Sequence, residues 1–256
     1  MSVLTWKPKS HTPSPQPAVD AEGRMSLVGH LQELRDRVIR ASLAVIVTTA
    51  LAFLFIERIM SLLLDLAGTH VIQAIDPTET FGTYFKVAFS VGLGLAMPVL
   101  VYQLLRFLAP GLTRGERRAL YVSMPFVALC FITGALFCYF IILPSALSFL
   151  LGFGDARILK QISLTKFISF VTSFMLAVGA SFELPVVIFM LAKLGIVTYA
   201  RLAKFRKYAF LLSFIAAAII TPTPDPINQS LVALPLFALY ELGLQLSRFA
   251  RRPAAA

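Results

Sequence analysis

Two acidic residues stand among basic neighbours beside long apolar segments. Glu33 lies in HLQELRDR (His30–Arg37), and Glu116 lies in LTRGERRAL (Leu112–Leu120). Carboxylates bind guanidinium groups through paired hydrogen bonds, so two acids on one face could bind a partner with two adjacent arginines. Structural interpretations remain open: Glu33 could form an i,i+4 ion pair with Arg37, and Glu116 a local salt bridge in a loop whose arginines only hold it on one side of a membrane.

A third acid, Glu183, lies inside the apolar segment Phe167–Leu191, two residues before Pro185. A charged residue at the centre of a membrane span costs roughly 2.5 to 3.5 kcal/mol on insertion scales. We therefore expect Glu183 to face the inside of a helix bundle. It could be a buried hydrogen-bonded group, a docking point for a polar side chain of another transmembrane helix, or a proton-linked site. Lys86 lies near the opposite membrane face and is too distant to pair with it.

The composition is that of a membrane protein. Hydrophobic residues make up 58% of the 256-residue chain and charged residues 14%, whereas soluble domains carry about 25% charged residues. The net charge of +10 does not indicate nucleic-acid binding, because most of the basic residues lie in alternate loops between apolar segments. That distribution is the positive-inside pattern of multi-spanning proteins.

Hydropathy predicts an all-α integral membrane protein with six spans and both termini in the cytoplasm. Residues 1–25 are predicted to be a disordered cytoplasmic extension, 26–248 the transmembrane domain and 249–256 a cytoplasmic tail. Residues 26–40 predict an amphipathic helix in the membrane interface, residues 59–66 a short interfacial helix, and Pro144 the end of the third span. The predicted spans are 38–56, 81–108, 120–143, 167–191, 208–220 and 227–246.

The predicted fifth span is short. Residues 208–220 would form a helix of about 20 Å, less than the roughly 30 Å of a hydrocarbon core. Either the bilayer thins beside it or the helix extends through turns that protein covers. A short hairpin beside a buried carboxylate favours a concave, partly wet surface over a sealed cylinder.

The residues of enzymatic and metal sites are scattered. Cys130 and Cys138 would lie about 12 Å apart along one helix, too far for a disulfide. The histidines are His11, His30 and His70, and neither an HExxH nor a GxSxG motif is present. We therefore expect no catalytic residues, no metal and no cofactor.

Five motifs together resemble the TatC family of twin-arginine translocase proteins. They are HLQELRDR before the first span, DPTETFGTYFK entering the second, MPVLVYQLLRFLAPGLTRGERR leaving it, SFELP in the fourth and TPTPDPINQ before the last. The resemblance runs from about Ser26 to Arg248. It implies a glove-shaped bundle with short fifth and sixth helices.

The resemblance also implies a function. Family members form the receptor core of a system in the prokaryotic cytoplasmic membrane that exports folded proteins, driven by the proton-motive force. They bind signal peptides with paired arginines, work with TatA- and TatB-type single-span subunits, and assemble into larger complexes with further copies.

Functional positions carry over one by one. Glu33 and Glu116 match the acids of the signal-peptide site, and Glu183 matches the acid that contacts partner helices. The neighbouring signal-peptide positions are Arg35, Phe107, Arg117 and Arg118, and the remaining motif positions are Pro98, Pro185 and Asp225.

A second function is compatible with the residues alone. Glu183 could serve a proton-coupled secondary transporter of small solutes, a class that often carries internal repeats and broken helices near the midplane. The two halves of this chain show no repeat. Solute uptake into liposomes without partner subunits would distinguish such a transporter from a translocase component.

Overall fold

The computed structural model describes residues 27–68, 71–108, 112–152, 161–221 and 225–250. The predicted extension 1–25 lies outside these residues, as does most of the predicted tail 249–256. The described chain consists of helices with one short pair of strands. The elements are α1 (Leu27–Phe53), α2 (Ile56–Asp65), β1 (Ile72–Gln73), α3 (Pro77–Leu108), α4 (Arg114–Phe137), a π-turn (Cys138–Ile142), α5 (Leu143–Gly152), β2 (Ile162–Ser163), α6 (Leu164–Ser181), α7 (Leu184–Lys193), α8 (Tyr199–Ile220) and α9 (Pro226–Ser247).

Four helical segments of the described chain are long and apolar enough to cross a membrane: 77–108, 114–152, 164–193 and 226–247. The pair α1 and α2, bent by 77°, makes a fifth if it is counted as one span. Helix α8 is not apolar enough to count as a span, because its first half is rich in basic residues. The prediction of a multi-spanning helical protein is confirmed, whereas the count of six spans and the side of each terminus stay predictions.

The predicted amphipathic helix at 26–40 leads directly into the first apolar segment, as expected. Residues 27–53 form one helix, α1, because no Gly or Pro breaks the helix between its amphipathic and apolar parts. It packs along α3 at close range, where the Thr48 hydroxyl donates to the carbonyl of Gly92 at 2.7 Å. A Cβ on Gly92 would lie 2.5 Å from the Thr49 Cα, so only glycine allows this approach. Helix α2 confirms the predicted short helix at 59–66.

Pro144 does not end the third helix, contrary to the prediction. Helix α4 passes through the π-turn Cys138–Ile142 into α5, and Pro144 lies in the first turn of α5. The backbone N–H of Leu143 bonds to the carbonyl of Cys138, five residues back. A widened turn of this kind lets a helix continue past a proline ring that would otherwise clash with the preceding turn.

The fifth predicted span is longer than expected. Helix α8 has 22 residues, about 33 Å, and the apolar stretch 208–220 is only its second half. Helix α8 does extend beyond the apolar stretch, but the added turns are basic and mostly exposed rather than covered by protein. Helix α9 also has 22 residues, against 32 in α3. Both last helices are therefore shorter than α3; α8 is longer than predicted, whereas α9 nearly matches its predicted bounds of 227–246.

Helix order defines two ends of the bundle. The strand end carries the parallel pair β1–β2, with Ile72 opposite Ile162. The basic end lies where α3 stops and α4 starts, and it includes Arg106, Arg114, Arg117 and Arg118. Helices α1, α7 and α9 also have one end there, because successive long helices run in alternate directions.

A concave apolar groove of about 440 Å³ opens between α2, α3, α4 and α6. Phe131 of α4 forms part of its wall and is pressed between two glycines. A Cβ on Gly94 of α3 or on Gly179 of α6 would lie within 2.8 Å of its ring. Small residues therefore let α3 and α6 close around one aromatic ring, as helices in membranes do. This groove is consistent with the concave surface expected from the sequence.

Candidate functional site

Only one of the two carboxylate oxygens of Glu33 accepts a hydrogen bond from a described residue. Its Oε1 accepts from the Arg37 guanidinium, with 3.1 Å to Nε and a still shorter contact to Nη2. Arg37 is buried and also donates to Oε1 of Gln103 on α3 at 3.3 Å. Oε2 of Glu33 is buried and has no hydrogen-bond partner among the described residues. The predicted i,i+4 ion pair therefore exists, but it uses only one carboxylate oxygen.

Phe107 fixes the neighbouring turn of α1. Its ring stacks on His30 with centroids 4.5 Å apart and planes inclined by 18°. Together with the bond from Arg37 to Gln103, this contact holds the start of α1 against the end of α3. Two predicted site residues, Glu33 and Phe107, therefore lie on helices that are joined at two points, about one turn apart along α3.

Glu116 helps to begin α4. It forms a capping box with Thr113: the backbone N–H and hydroxyl of Thr113 donate to Oε2 at 2.8 and 2.9 Å, and the Thr113 hydroxyl accepts from the Glu116 N–H. Both bonds to the carboxylate end on Oε2. The predicted salt bridge with a neighbouring arginine is not among the contacts of the described residues. A local helix signal, the T-x-x-E pattern, explains this geometry.

Three arginines surround the start of α4. Arg114, Arg117 and Arg118 line an open hollow of about 400 Å³ with Tyr121 and Val122. Arg117 and Arg118 are exposed, so both are accessible at the basic end. Their hollow is lined by residues of α4 alone.

A tyrosine pair that the sequence argument missed joins α3 to α4. Tyr102 donates to the hydroxyl of Tyr121 at 3.0 Å, and Arg106 donates to Tyr102 at 3.1 Å. The two rings lie 5.0 Å apart. The sequence signal that could have revealed this pair is the position of each tyrosine near one end of its apolar segment, where aromatic anchors of the membrane interface lie.

The acid pair is bridged through α3. Glu33 connects to α3 through Arg37, and α3 connects to the helix of Glu116 through the Tyr102–Tyr121 pair. A direct contact between the two carboxylates is not found among the described residues. Arg35, two residues after Glu33 on α1, is exposed, and its one hydrogen bond among the described residues goes to its neighbour Asp36, at 3.4 Å.

Glu183 lies at a break in the fourth apolar segment. Helix α6 ends at Ser181 and α7 begins at Leu184, so Glu183 occupies the joint between them. The residue is 4% exposed, and neither carboxylate oxygen has a hydrogen-bond partner among the described residues. The predicted burial is confirmed. The backbone of Phe131 on α4 lies close to this carboxylate, but no hydrogen bond of ordinary geometry joins them, so the contacts do not support the alternative of a well-bonded structural acid.

Two glycines let neighbouring helices close on this joint. A Cβ on Gly134 of α4 would lie 2.7 Å from Phe182, and one on Gly243 of α9 would lie 3.2 Å from the Cα of Pro185. Pro185 is buried in the first turn of α7, where its missing N–H is not needed. The joint is therefore held on both sides, and the carboxylate cannot swing freely into water.

The remaining predicted positions have local roles. Pro98 lies within α3 and lines the groove. Asp225 is the N-cap of α9, accepting from the N–H groups of Ile227 at 3.2 Å and Asn228 at 2.9 Å. Neither residue contacts Glu33, Glu116 or Glu183 among the described contacts.

Helices that can cross a membrane, a basic end with embedded acids and a buried carboxylate inside the bundle define a multi-pass helical membrane protein. The model of one family, described as Sec-independent protein translocase protein (TatC), matches residues 29–235. The chain belongs to this TatC family.

Curated relatives and solved structures agree with the family model. The TatC proteins of Carboxydothermus hydrogenoformans and Aquifex aeolicus are 37% and 39% identical, covering 88% and 89% of this chain and 93% and 97% of their own lengths. A crystal structure described as the twin arginine translocase receptor TatC is 38% identical, with a TM-score of 0.72 over 87% of this chain and all of that one. A second structure of that receptor, in the detergent DDM, gives 0.74.

The protein is thus a multi-pass membrane component of a bacterial translocase that works in a Tat complex, and it is not an enzyme. The comparisons give no support to the secondary-transporter alternative for Glu183.

Proposed function

We propose that this chain is the receptor for twin-arginine signal peptides and binds the paired arginines at Glu33 and Glu116. The observation that carries the proposal is the free oxygen of Glu33: Oε2 is buried and without a hydrogen-bond partner in the described chain. An arginine entering from a peptide would supply the missing donor. A hydrogen bond to a charged group contributes about 1.5–3 kcal/mol.

Arg37 fixes the orientation of the Glu33 carboxylate for peptide binding. It holds Oε1 and is itself anchored to Gln103, so the carboxylate keeps one orientation before a peptide arrives. A preset carboxylate loses less side-chain entropy on binding than a mobile one. Binding at Oε2 leaves the Arg37 bond in place, and the peptide does not have to compete with Arg37.

Glu116 receives the second arginine. Its carboxylate is fixed by the capping box through Oε2. The nearby Arg35, Arg117 and Arg118 oppose non-specific binding of cationic segments, so only a segment that reaches a carboxylate directly is retained. Phe107, stacked on His30, forms an apolar wall beside Glu33.

Glu183 is the contact for a partner helix. A buried carboxylate without a donor favours a single-span protein of the TatA or TatB type that brings a polar side chain into the membrane. Such a partner would approach the joint of α6 and α7 either through the groove or along the outer face of α7. Pro185 shapes this joint, and Pro98 shapes the groove wall.

The basic end faces the cytoplasm in this proposal, because positively charged loops are retained on that side. Both termini are then cytoplasmic, and the protein lies in the inner membrane of a bacterium. Several copies assemble with the single-span subunits, and the proton-motive force drives export of folded proteins without a cofactor.

The experiment is binding of a twin-arginine peptide to the purified protein in nanodiscs. The variants are Glu33→Gln and Glu116→Gln, since glutamine keeps the acceptor for Arg37 and preserves the capping box. Each should weaken binding about 10-fold or more, and the double variant should bind the native peptide no better than a peptide with paired lysines. Asp225→Asn, at the other end, is the matched control. Unchanged affinity in both single variants would refute the site.

A further inference from the structure

A second basic hollow lies between α8 and α9, away from the acids described above. It has a volume of about 440 Å³ and is called the α8–α9 hollow here. Its lining residues are Ala203, Lys204, Arg206, Lys207 and Phe210 of α8 and Phe237 of α9.

The charge of this hollow comes from two lysines. The Arg206 guanidinium forms a two-pronged ion pair with both carboxylate oxygens of Glu241, with 2.5 Å from Nη2 to Oε2. That arginine is therefore neutralised within the fold. Lys204 and Lys207 are exposed, and neither forms an ion pair in the described chain. Lys207 lies 5.2 Å from the ring centroid of Tyr208, which leaves its hydrogen-bond donors unused.

The other wall of the hollow is apolar. Phe210 and Phe237 meet edge to face, with centroids 5.3 Å apart and planes at 88°. Phe210 stands one turn beyond Lys207 on the same helix face, at the start of the apolar half of α8. Where that half enters a membrane, the lysines lie at headgroup depth and the two rings lie at the edge of the hydrocarbon.

We propose that the α8–α9 hollow binds one acidic phospholipid. Lys204 and Lys207 hold its phosphate by charge and hydrogen bonds, and the two phenylalanines contact the glycerol and the first carbons of an acyl chain. The occupant is a lipid rather than an acidic protein segment because the apolar wall continues into exposed hydrophobic side chains of α8, including Leu211 and Leu212, which are 58% and 52% exposed. The site is independent of the proposed peptide site.

Native mass spectrometry of the purified full-length protein tests the site. Phosphatidylglycerol and phosphatidylcholine with identical acyl chains are titrated separately, and the first bound lipid is quantified. We expect the protein to bind the acidic lipid more tightly. Lys204→Gln with Lys207→Gln should weaken binding of the first acidic lipid roughly 25-fold, from about fivefold per lysine near a lipid headgroup. Lys204→Arg with Lys207→Arg should retain it.

Matched controls separate this site from general surface charge. Lys166→Gln with Lys193→Gln removes equal charge elsewhere and should leave the first lipid in place. Phe237→Ala should weaken phosphatidylglycerol while leaving binding of glycerol 3-phosphate, which has no acyl chains, unchanged.

Four results would overturn the proposal. The first two are equal binding of the two lipids and unchanged binding of the first lipid in the glutamine double variant. The third is displacement of the lipid by equimolar glycerol 3-phosphate, which would make the hollow a simple anion site. Displacement by an equimolar hexaglutamate peptide would likewise assign it to an acidic protein segment.

Discussion

Two carboxylates of this protein have opposite surroundings. Glu79, at the strand end, accepts four hydrogen bonds: from the N–H of Thr165 and the hydroxyl of Ser163, both at 2.8 Å, and from the N–H groups of Ile75 and Asp76. Glu183, inside the bundle, has none among the described residues. Both are glutamates in family motifs, so residue type does not separate them.

The difference lies in what each carboxylate does for the fold. Glu79 joins the segment before α3 to the start of α6, beside the β1–β2 pair, and so fastens two loops that are distant in sequence. The carboxylate of Glu183 makes no hydrogen bond of ordinary geometry with a described residue of its own chain. A charge that stabilises nothing internally is expected where a protein keeps a contact for another molecule. The following predictions test this division.

The largest effect is expected at Glu183. Glu183→Ala should reduce copurification of single-span Tat subunits with this chain by tenfold or more, because we propose that the carboxylate is their contact. Thermal stability should stay the same or rise, since no described hydrogen bond is lost and a desolvated acid is removed. Co-affinity purification and a thermal melt in the same detergent measure both quantities. Full copurification together with a lowered melting temperature would make Glu183 a structural acid.

Glu79 should behave in the opposite way. Glu79→Ala leaves the Thr165 N–H and the Ser163 hydroxyl without their acceptor, and the melting temperature should fall by about 3–6 °C. Copurification of partner subunits, compared at a temperature where both proteins are folded, should stay near the native level. Loss of partners from a fully stable Glu79 variant would abolish the distinction between the two acids.

Glu116 has a structural role in the capping box and a binding role in our proposal, and two substitutions should separate them. Glu116→Ala breaks the capping box and should cost about 0.5–1 kcal/mol of stability. Glu116→Gln keeps the cap and removes the charge, so it should keep the stability and lose only peptide affinity. Chemical unfolding followed by far-ultraviolet circular dichroism compares the two variants. If both variants are equally destabilised, the charge itself stabilises α4.

The smallest effect is expected at Ser163. Ser163→Ala removes one of four donors to Glu79 and should lower the melting temperature by about 1–2 °C. In the background of Glu79→Ala the same change should have little further effect. Additive losses from the two substitutions would mean that Ser163 stabilises the loops by a route other than Glu79.

The sequence predicted the helical membrane fold because apolar length and charge distribution follow from bilayer thickness and the positive-inside rule. It also located Glu33, Glu116 and Glu183, whose residue types conflict with their surroundings. It missed the Glu79 connection, because hydrogen bonds between distant loops leave no periodic pattern. Pro144 was misread for a local reason: a proline ends a helix only where the preceding turn cannot widen.

The π-turn at Cys138–Ile142 has a further consequence for chain length. A widened turn holds one more residue than the α-helix needs, and one residue corresponds to about 100° of helix rotation. Shortening the chain elsewhere in α4 would therefore turn Ala146 and Leu147 of α5 out of the core. Within the turn, loss of the exposed Phe140 would restore ordinary helix and leave both flanking faces in register. This turn is the point at which the long helix can change length by one residue without repacking its neighbours.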